Sequence, residues 1–263
     1  MIFMPDTAPA AQFTVLGPDG APIDGTDGRL GDFYAYPAEL RRCWVRGNMI
    51  ASIDGGATAG GKTAALGAAG DRSVFEQMRY AADVILVGAA TVRTENYSGA
   101  QVPVPQRGAR QARGQAEVPP IAVITRSGDL DPAARFFTRT DVPPLILTCS
   151  AACDATRRRL GGVAEVIDAS GPRPDEVDPA TALQALAERK LLRVLSEGGP
   201  LILSLLIEND LLDELCLTVA PFLVGGKAPR IASGPGEVLT RMRPAHVLSD
   251  DDGYLYTRYV RLD

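Results

Sequence analysis

Apolar runs of strand length alternate with stretches of helical spacing along most of the chain. Trp44 to Ala51 reads as a strand. From Asp71 to Ala82, the residues Val74, Phe75, Met78 and Ala82 recur every three or four positions, which predicts a helix with Asp71 as its N-cap. Val84-Ile85-Leu86-Val87 is short and wholly apolar, as expected of a strand covered on both faces, and Ile121 to Thr125 and Leu145 to Thr148 have the same character. Helices are predicted over Ala152 to Leu160 and Asp178 to Lys190, with a strand between them at Ala164 to Ile167. Val194-Leu195 leads through Gly198-Gly199-Pro200 into an apolar helix, Leu201 to Glu208. Leu215 to Leu223 and Leu255 to Arg261 are late strands without an intervening helical pattern, so the sheet should end antiparallel. The pattern as a whole predicts an α/β fold around a mostly parallel sheet.

Two segments resist this pattern. Residues 1–35 read as an N-terminal leader or extension before a single domain spanning 36–263. Residues 101–117 are polar, interrupted by Pro and carry Arg107, Arg110 and Arg113, which reads as a solvated loop, with a mobile insertion or a lid as the alternative.

Composition narrows the function classes. A net charge of -5 over 263 residues gives no electrostatic reason to expect nucleic acid as the main partner, although local basic clusters remain open. No apolar stretch approaches the roughly 20 residues that cross a bilayer. Met1 to Pro22 lacks the basic and apolar regions of a secretory signal, so a cytoplasmic location is expected. Cys43, Cys149, Cys153 and Cys216 form no C-x-x-C pair and His246 is the only histidine, so no metal site is expected and the thiols read as buried and free. With one histidine, His-based acid–base chemistry is disfavoured and cofactor chemistry favoured.

Gly56 to Thr63 matches the phosphate-loop pattern G-x-x-x-x-G-K-[ST] letter for letter, and a nucleotide-binding protein using Lys62 and Thr63 is one reading. That geometry needs a helix starting at the Lys-Thr pair, whereas Gly67 and Gly70 interrupt the stretch from Ala64 to Gly70. Nor does a G-x-G-x-x-G follow the early strands.

Three strand ends carry a different signal. Val87-Gly88-Ala89-Ala90-Thr91-Val92-Arg93 offers close backbone approach at Gly88 and amides at a helix start. Thr125-Arg126-Ser127 places a guanidinium between two hydroxyls, a set suited to a monophosphate. Ser196-Glu197-Gly198-Gly199-Pro200-Leu201-Ile202 predicts a tight, donor-rich anion pocket. Carboxyl ends of strands in an open α/β sheet share one crevice, so the three together fit a ligand with several phosphates, such as NADPH, with its 2′-phosphate at Thr125, Arg126 and Ser127.

Met49-Ile50-Ala51-Ser52-Ile53-Asp54-Gly55, the segment from Arg79 through Val84 to Gly88 and Thr91-Val92-Arg93, and the later Glu197-Gly198-Gly199, Asp213-Glu214-Leu215 and Ala220 to Gly226 resemble, in order and spacing, the motifs of the riboflavin-type pyrimidine reductases. The resemblance runs from about Trp44 to Gly234. It implies a dihydrofolate-reductase-like fold, usually dimeric, in which NADPH reduces the ribosyl group of a phosphoribosylaminopyrimidine to a ribityl chain. It implies cofactor contacts at Ala51, Gly88, Thr91, Val92, Glu95, Thr125 and Gly198 through Ile202, and substrate contacts at Thr63, Arg79 and Glu197. Glu197 then hydrogen-bonds the pyrimidine edge or is simply a helix-start carboxylate. Arg79 binds substrate or is a solvated helix residue. Asp54 delivers a proton or holds the Asp-Gly turn.

The match breaks at one place. The family follows its threonine with Asp-Asn-Pro and then an arginine for the substrate's phosphate, whereas Glu95-Asn96-Tyr97-Ser98 leads here to Val102, and the nearest candidate is Arg107. A related reductase of a pterin or dihydrofolate is therefore an alternative. The H-x-E and P-C-x-x-C of the family's deaminase domain are absent, so deamination lies elsewhere or is irrelevant.

Overall fold

The hydrophobic runs become the centre of an eleven-stranded sheet in a computed structural model that describes residues 11–17, 22–25, 28–95, 97–99 and 101–262. Its strands are β1 (Gln12–Val15), β2 (Pro22–Asp24), β3 (Trp44–Ser52), β4 (Val84–Gly88), β5 (Ile121–Ile124), β6 (Leu145–Thr148), β7 (Glu165–Asp168), β8 (Arg193–Ser196), β9 (Glu214–Ala220), β10 (Met242–Asp250) and β11 (Leu255–Arg261). The helices are α1 (Gly28–Phe33), α2 (Ala69–Ala81), α3 (Ala89–Thr94), α4 (Val104–Ala112), α5 (Arg135–Thr138), α6 (Ser150–Leu160), α7 (Pro179–Glu188) and α8 (Pro200–Glu208). The strand order is β2-β1-β10-β11-β9-β3-β8-β4-β5-β6-β7. From β9 to β7 all neighbours are parallel; from β9 back to β2 all are antiparallel, the mixed sheet that the late strands predict.

Every residue of β4, β5 and β6 is buried, because helices cover both faces. Val84 and Leu86 face a core completed by Leu183 and Leu186 of α7 and by Leu203 and Leu206 of α8. Ile85 and Val87 face the opposite core, with Phe136, Phe137 and Leu160. A third core under α1 and α2 gathers Leu30, Tyr34, Val74, Met78 and Tyr256. Each such side chain contributes roughly 1.5–3 kcal/mol on full burial, so the apolar pattern accounts for the sheet's centre. Asp178 caps α7, accepting from Thr181 N–H at 2.7 Å.

Several expectations need correction. The N-cap of α2 is Ala68, and Asp71 lies in the first turn with its carboxyl buried, which raises its pKa. Residues 1–10 lie outside the described residues, but the described part of the N-terminal segment is no loose leader. β1 pairs with β10, and Phe13, Ile23, Leu30 and Tyr34 are buried. Residues 101–117 are largely exposed but form a helix in place of the expected loop. Pro103 starts α4, and the buried Arg110 donates through Nη1 to the carbonyls of Tyr80 (2.9 Å) and Ala82 (2.7 Å), capping α2. β10 escaped the pattern because only Leu248 of its nine residues is buried. All four cysteines are free and buried.

The phosphate-loop reading is also overturned. Ala59 and Lys62 pair across a turn in which Gly60 and Gly61 have φ of +58° and +77°. Thr63 opens only a short 3₁₀ turn, and the next α-helix starts at Ala69. This is a glycine hairpin, without the helix start that cradles phosphate.

Candidate active site

The parallel strands β3, β8, β4 and β5 lie side by side and end at one edge of the sheet. Leu86 pairs with Ser196 and Gly88 with Ile124, so the segments starting at Glu197, Ala89 and Thr125 leave adjacent strands in turn. β3 runs past β8 through Ala51 to Ser52. The three junctions predicted to converge do so.

Close contacts join them. Gly88 N–H donates to the Gly198 carbonyl (3.1 Å), and Gly199 N–H donates to Thr91 Oγ1 (3.0 Å). A Cβ at Gly88 would come within 3.0 Å of Ile202, and one at Gly199 within 3.1 Å of Thr91 Oγ1. Gly198 has a φ of +92°, a region that side chains rarely tolerate, and packs on Met49. The expected donor-rich pocket is thus partly self-satisfied. Thr91 takes the Gly199 amide, Pro200 has none, and Ile202 N–H returns to the Gly199 carbonyl. At β5, Thr125 Oγ1 accepts from Gly128 N–H (3.1 Å) and Ser127 Oγ from Asp129 N–H (3.3 Å), so the hydroxyls shape the turn. Arg126 is exposed and has no side-chain partner among the described residues.

Beside these junctions stands an ion pair. Arg79, near the end of α2, donates Nε to Glu197 Oε1 and Nη2 to Glu197 Oε2, both at 2.6 Å. Tyr97 donates its hydroxyl to Glu197 Oε2 and accepts from Arg79 Nη2 at 2.7 Å. The Arg79 guanidinium lies 4.4 Å from the centre of the Phe75 ring. Arg79 is therefore no solvated helix residue. Tyr97 had no motif to mark it; an aromatic residue in an otherwise polar segment was the available signal.

Other predicted residues go elsewhere. Asp54 accepts from Ser52 Oγ (2.5 Å), Val224 N–H (3.1 Å) and Gly225 N–H (2.7 Å). Those bonds, the one from Ser52 foremost, hold its pKa down at about 2. It is ionised at neutral pH with no proton to deliver, and it fastens the 221–226 loop to the end of β3. Val92 is buried in the core, so its side chain cannot reach a ligand in the groove, and Leu201 is exposed. Glu95 follows the end of α3. Thr63 Oγ1 donates to the Ala57 carbonyl at 3.5 Å, within the glycine hairpin. Arg107 bonds to the Val102 carbonyl (2.8 Å) and to Asp141 (2.7 Å), so it does not replace the missing phosphate arginine; Val102 itself is buried.

Among the described residues no three His, Cys, Asp or Glu side chains gather to hold a metal ion, and no helix is long and apolar enough to cross a membrane.

Comparison with known proteins agrees with this geometry. The profile of the RibD C-terminal domain matches residues 43–256. The 2,5-diamino-6-ribosylamino-4(3H)-pyrimidinone 5′-phosphate reductase of Archaeoglobus fulgidus is 26% identical over 195 residues, covering 73% of this chain and 87% of that protein. The riboflavin biosynthesis protein RibD of Chlamydia pneumoniae is 25% identical over 80% of this chain, which spans 54% of it. A pyrimidine reductase-like protein of Corynebacterium diphtheriae superposes with a TM-score of 0.78 at 26% identity, over 89% of this chain and 99% of that one.

Proposed function

The chain belongs to the RibD C-terminal domain family and is an oxidoreductase; on that premise we propose that it uses NADPH to reduce the ribosyl group of a phosphoribosylaminopyrimidine to a ribityl chain. The observation that carries this reading is the meeting of the ends of β3, β8, β4 and β5 at one edge, with closely packed glycine junctions beside an Arg–Glu pair. In this reading an extended dinucleotide lies along that edge. A Cβ at Gly88 or Gly199 would press on Ile202 or Thr91, so only glycine lets these junctions close together, and α8 starts there with the partial positive charge of a helix N-terminus. On this proposal Thr91 and Gly199 through Ile202 would contact the middle of the dinucleotide, Ala51 and Glu95 would flank it, and Arg126 would take the 2′-phosphate between Thr125 and Ser127.

When bound, the reduced nicotinamide supplies the hydride. The chain's own task is to bind and orient. Arg79, held by Glu197, binds the pyrimidine, and Asp54 keeps the 221–226 loop against β3. The same reading makes the protein cytoplasmic and homodimeric, and light scattering on the purified chain tests the second point.

The decisive experiment titrates the protein with NADPH, NADH and ATP while following nicotinamide fluorescence. NADPH is then mixed with 2,5-diamino-6-ribosylamino-4(3H)-pyrimidinone 5′-phosphate, its deaminated counterpart or dihydrofolate, and loss of nicotinamide absorbance is recorded. Tight NADPH binding with oxidation by a pyrimidine is expected. ATP binding without NADPH binding, or oxidation by dihydrofolate alone, overturns the reading.

A further inference from the structure

Glu197 and Arg79 differ in how far they face outward: the side chain of Glu197 is 3% exposed and that of Arg79 18%. Glu197 is thus an inner member, and three donors already fill most of its acceptor capacity: Arg79 Nε, Arg79 Nη2 and the Tyr97 hydroxyl. Arg79 keeps one nitrogen, Nη1, without a partner among the described residues. The ring of Tyr97 packs against the core formed by Val92, Phe136 and Phe137, and its N–H donates to the Val92 carbonyl (3.2 Å), so the hydroxyl is delivered from a fixed base. With Phe75 on the guanidinium and Tyr97 and Glu197 along its edge, Arg79 has little freedom to turn.

We propose that Tyr97 is a positioning residue, which together with Glu197 locks Arg79 so that Nη1 is a fixed donor for a carbonyl oxygen of the pyrimidine. The ion pair is neutral as a whole, which suits a polar carbonyl better than a phosphate dianion. Glu197 then acts through Arg79. This inference rests on the reductase reading, since it needs a pyrimidine in the site.

The test is steady-state kinetics of Tyr97→Phe, which keeps the ring and removes only the hydroxyl, with 2,5-diamino-6-ribosylamino-4(3H)-pyrimidinone 5′-phosphate as substrate. KM for the pyrimidine should rise about tenfold, as for a lost hydrogen bond to a charged group, with kcat and the NADPH Kd nearly unchanged. In an Arg79→Met background the same substitution should have almost no further effect, because its path to substrate is already cut. An unchanged KM in Tyr97→Phe, or equal losses in the two backgrounds, overturns the positioning role alone. A wild-type protein that binds NADPH yet never oxidises it with the pyrimidine overturns the reductase reading, and this inference with it.

Discussion

Two Arg–Glu pairs have opposite characters, one within the sheet and one between α2 and the segment that leaves β8. Arg46 and Glu214 face each other across β3 and β9, both fully buried. Arg46 donates Nε to Glu214, Nη1 to the Tyr34 carbonyl (2.7 Å) and Nη2 to the Ala35 carbonyl (3.4 Å). Glu214 also accepts from Arg258 (2.9 and 3.0 Å) and Trp44 Nε1 (3.1 Å). Burial alone would raise the pKa of Glu214, but Arg46 and Arg258 outweigh it and hold the carboxyl below its ordinary value. Every donor nitrogen in Arg46 is engaged, so the pair joins α1, β3, β9 and β11 and offers nothing to a ligand. Arg79 and Glu197 are equally well paired, yet one edge of Arg79 is open, and Arg126 is open altogether. Residue type does not separate closed from open arginines here; unused hydrogen-bonding capacity does.

The largest effect should come from breaking the closed pair. Glu214→Ala leaves Arg46 and Arg258 facing a buried void, a loss of about 3–5 kcal/mol measurable by urea unfolding. Glu197→Ala should cost far less stability, since water can reach the guanidinium it abandons, while abolishing turnover. Equal stability losses would break the comparison.

Next comes Arg126→Ala. Removing an open guanidinium should leave the unfolding midpoint in place but weaken NADPH by about 10- to 100-fold, with NADH scarcely affected. Equal weakening of both dinucleotides would put the 2′-phosphate elsewhere.

Asp54→Asn sharpens the contrast from the acidic side. A carboxylate that only fastens a loop should lose less than about tenfold in kcat when its charge is removed; a fall of roughly 10²–10⁴ would restore it as a proton donor.

At neutral pH the smallest effect belongs to His246, packed edge-on against the rings of Phe33 and Tyr34 beside the closed pair, and it grows only on acidification. Burial, reinforced by Arg258, pushes its pKa down to about 4, against about 6.5 in the unfolded chain. Between those values the unfolded state binds the extra proton, so stability is fully present above about pH 6.5 and declines as pH falls toward 4. Thermal melts of wild type and His246→Phe should converge or cross in that window, and parallel melting curves would show that the imidazole is not the group responsible.

The three glycine- and hydroxyl-rich strand ends were legible because each comes after an apolar run, and strand ends of an open parallel sheet share one edge. Arg79 and Glu197 were legible only as parts of a family resemblance, 118 positions apart. Tyr97 was not legible, since its role depends on where α3 places its hydroxyl. Arg110 misled in the opposite sense. A polar segment with three arginines reads as solvated, yet that guanidinium is buried against the last carbonyls of α2.

By itself the sequence determined the parallel centre of the sheet, several of the helices that cover it and the edge at which the glycine-rich strand ends meet, because burial periodicity and backbone permissiveness are local properties of the chain. Which polar side chains are closed into structure and which keep a free donor was decided only in three dimensions. Hydrogen-bond capacity is used up by partners distant in sequence, and no local pattern records who those partners are.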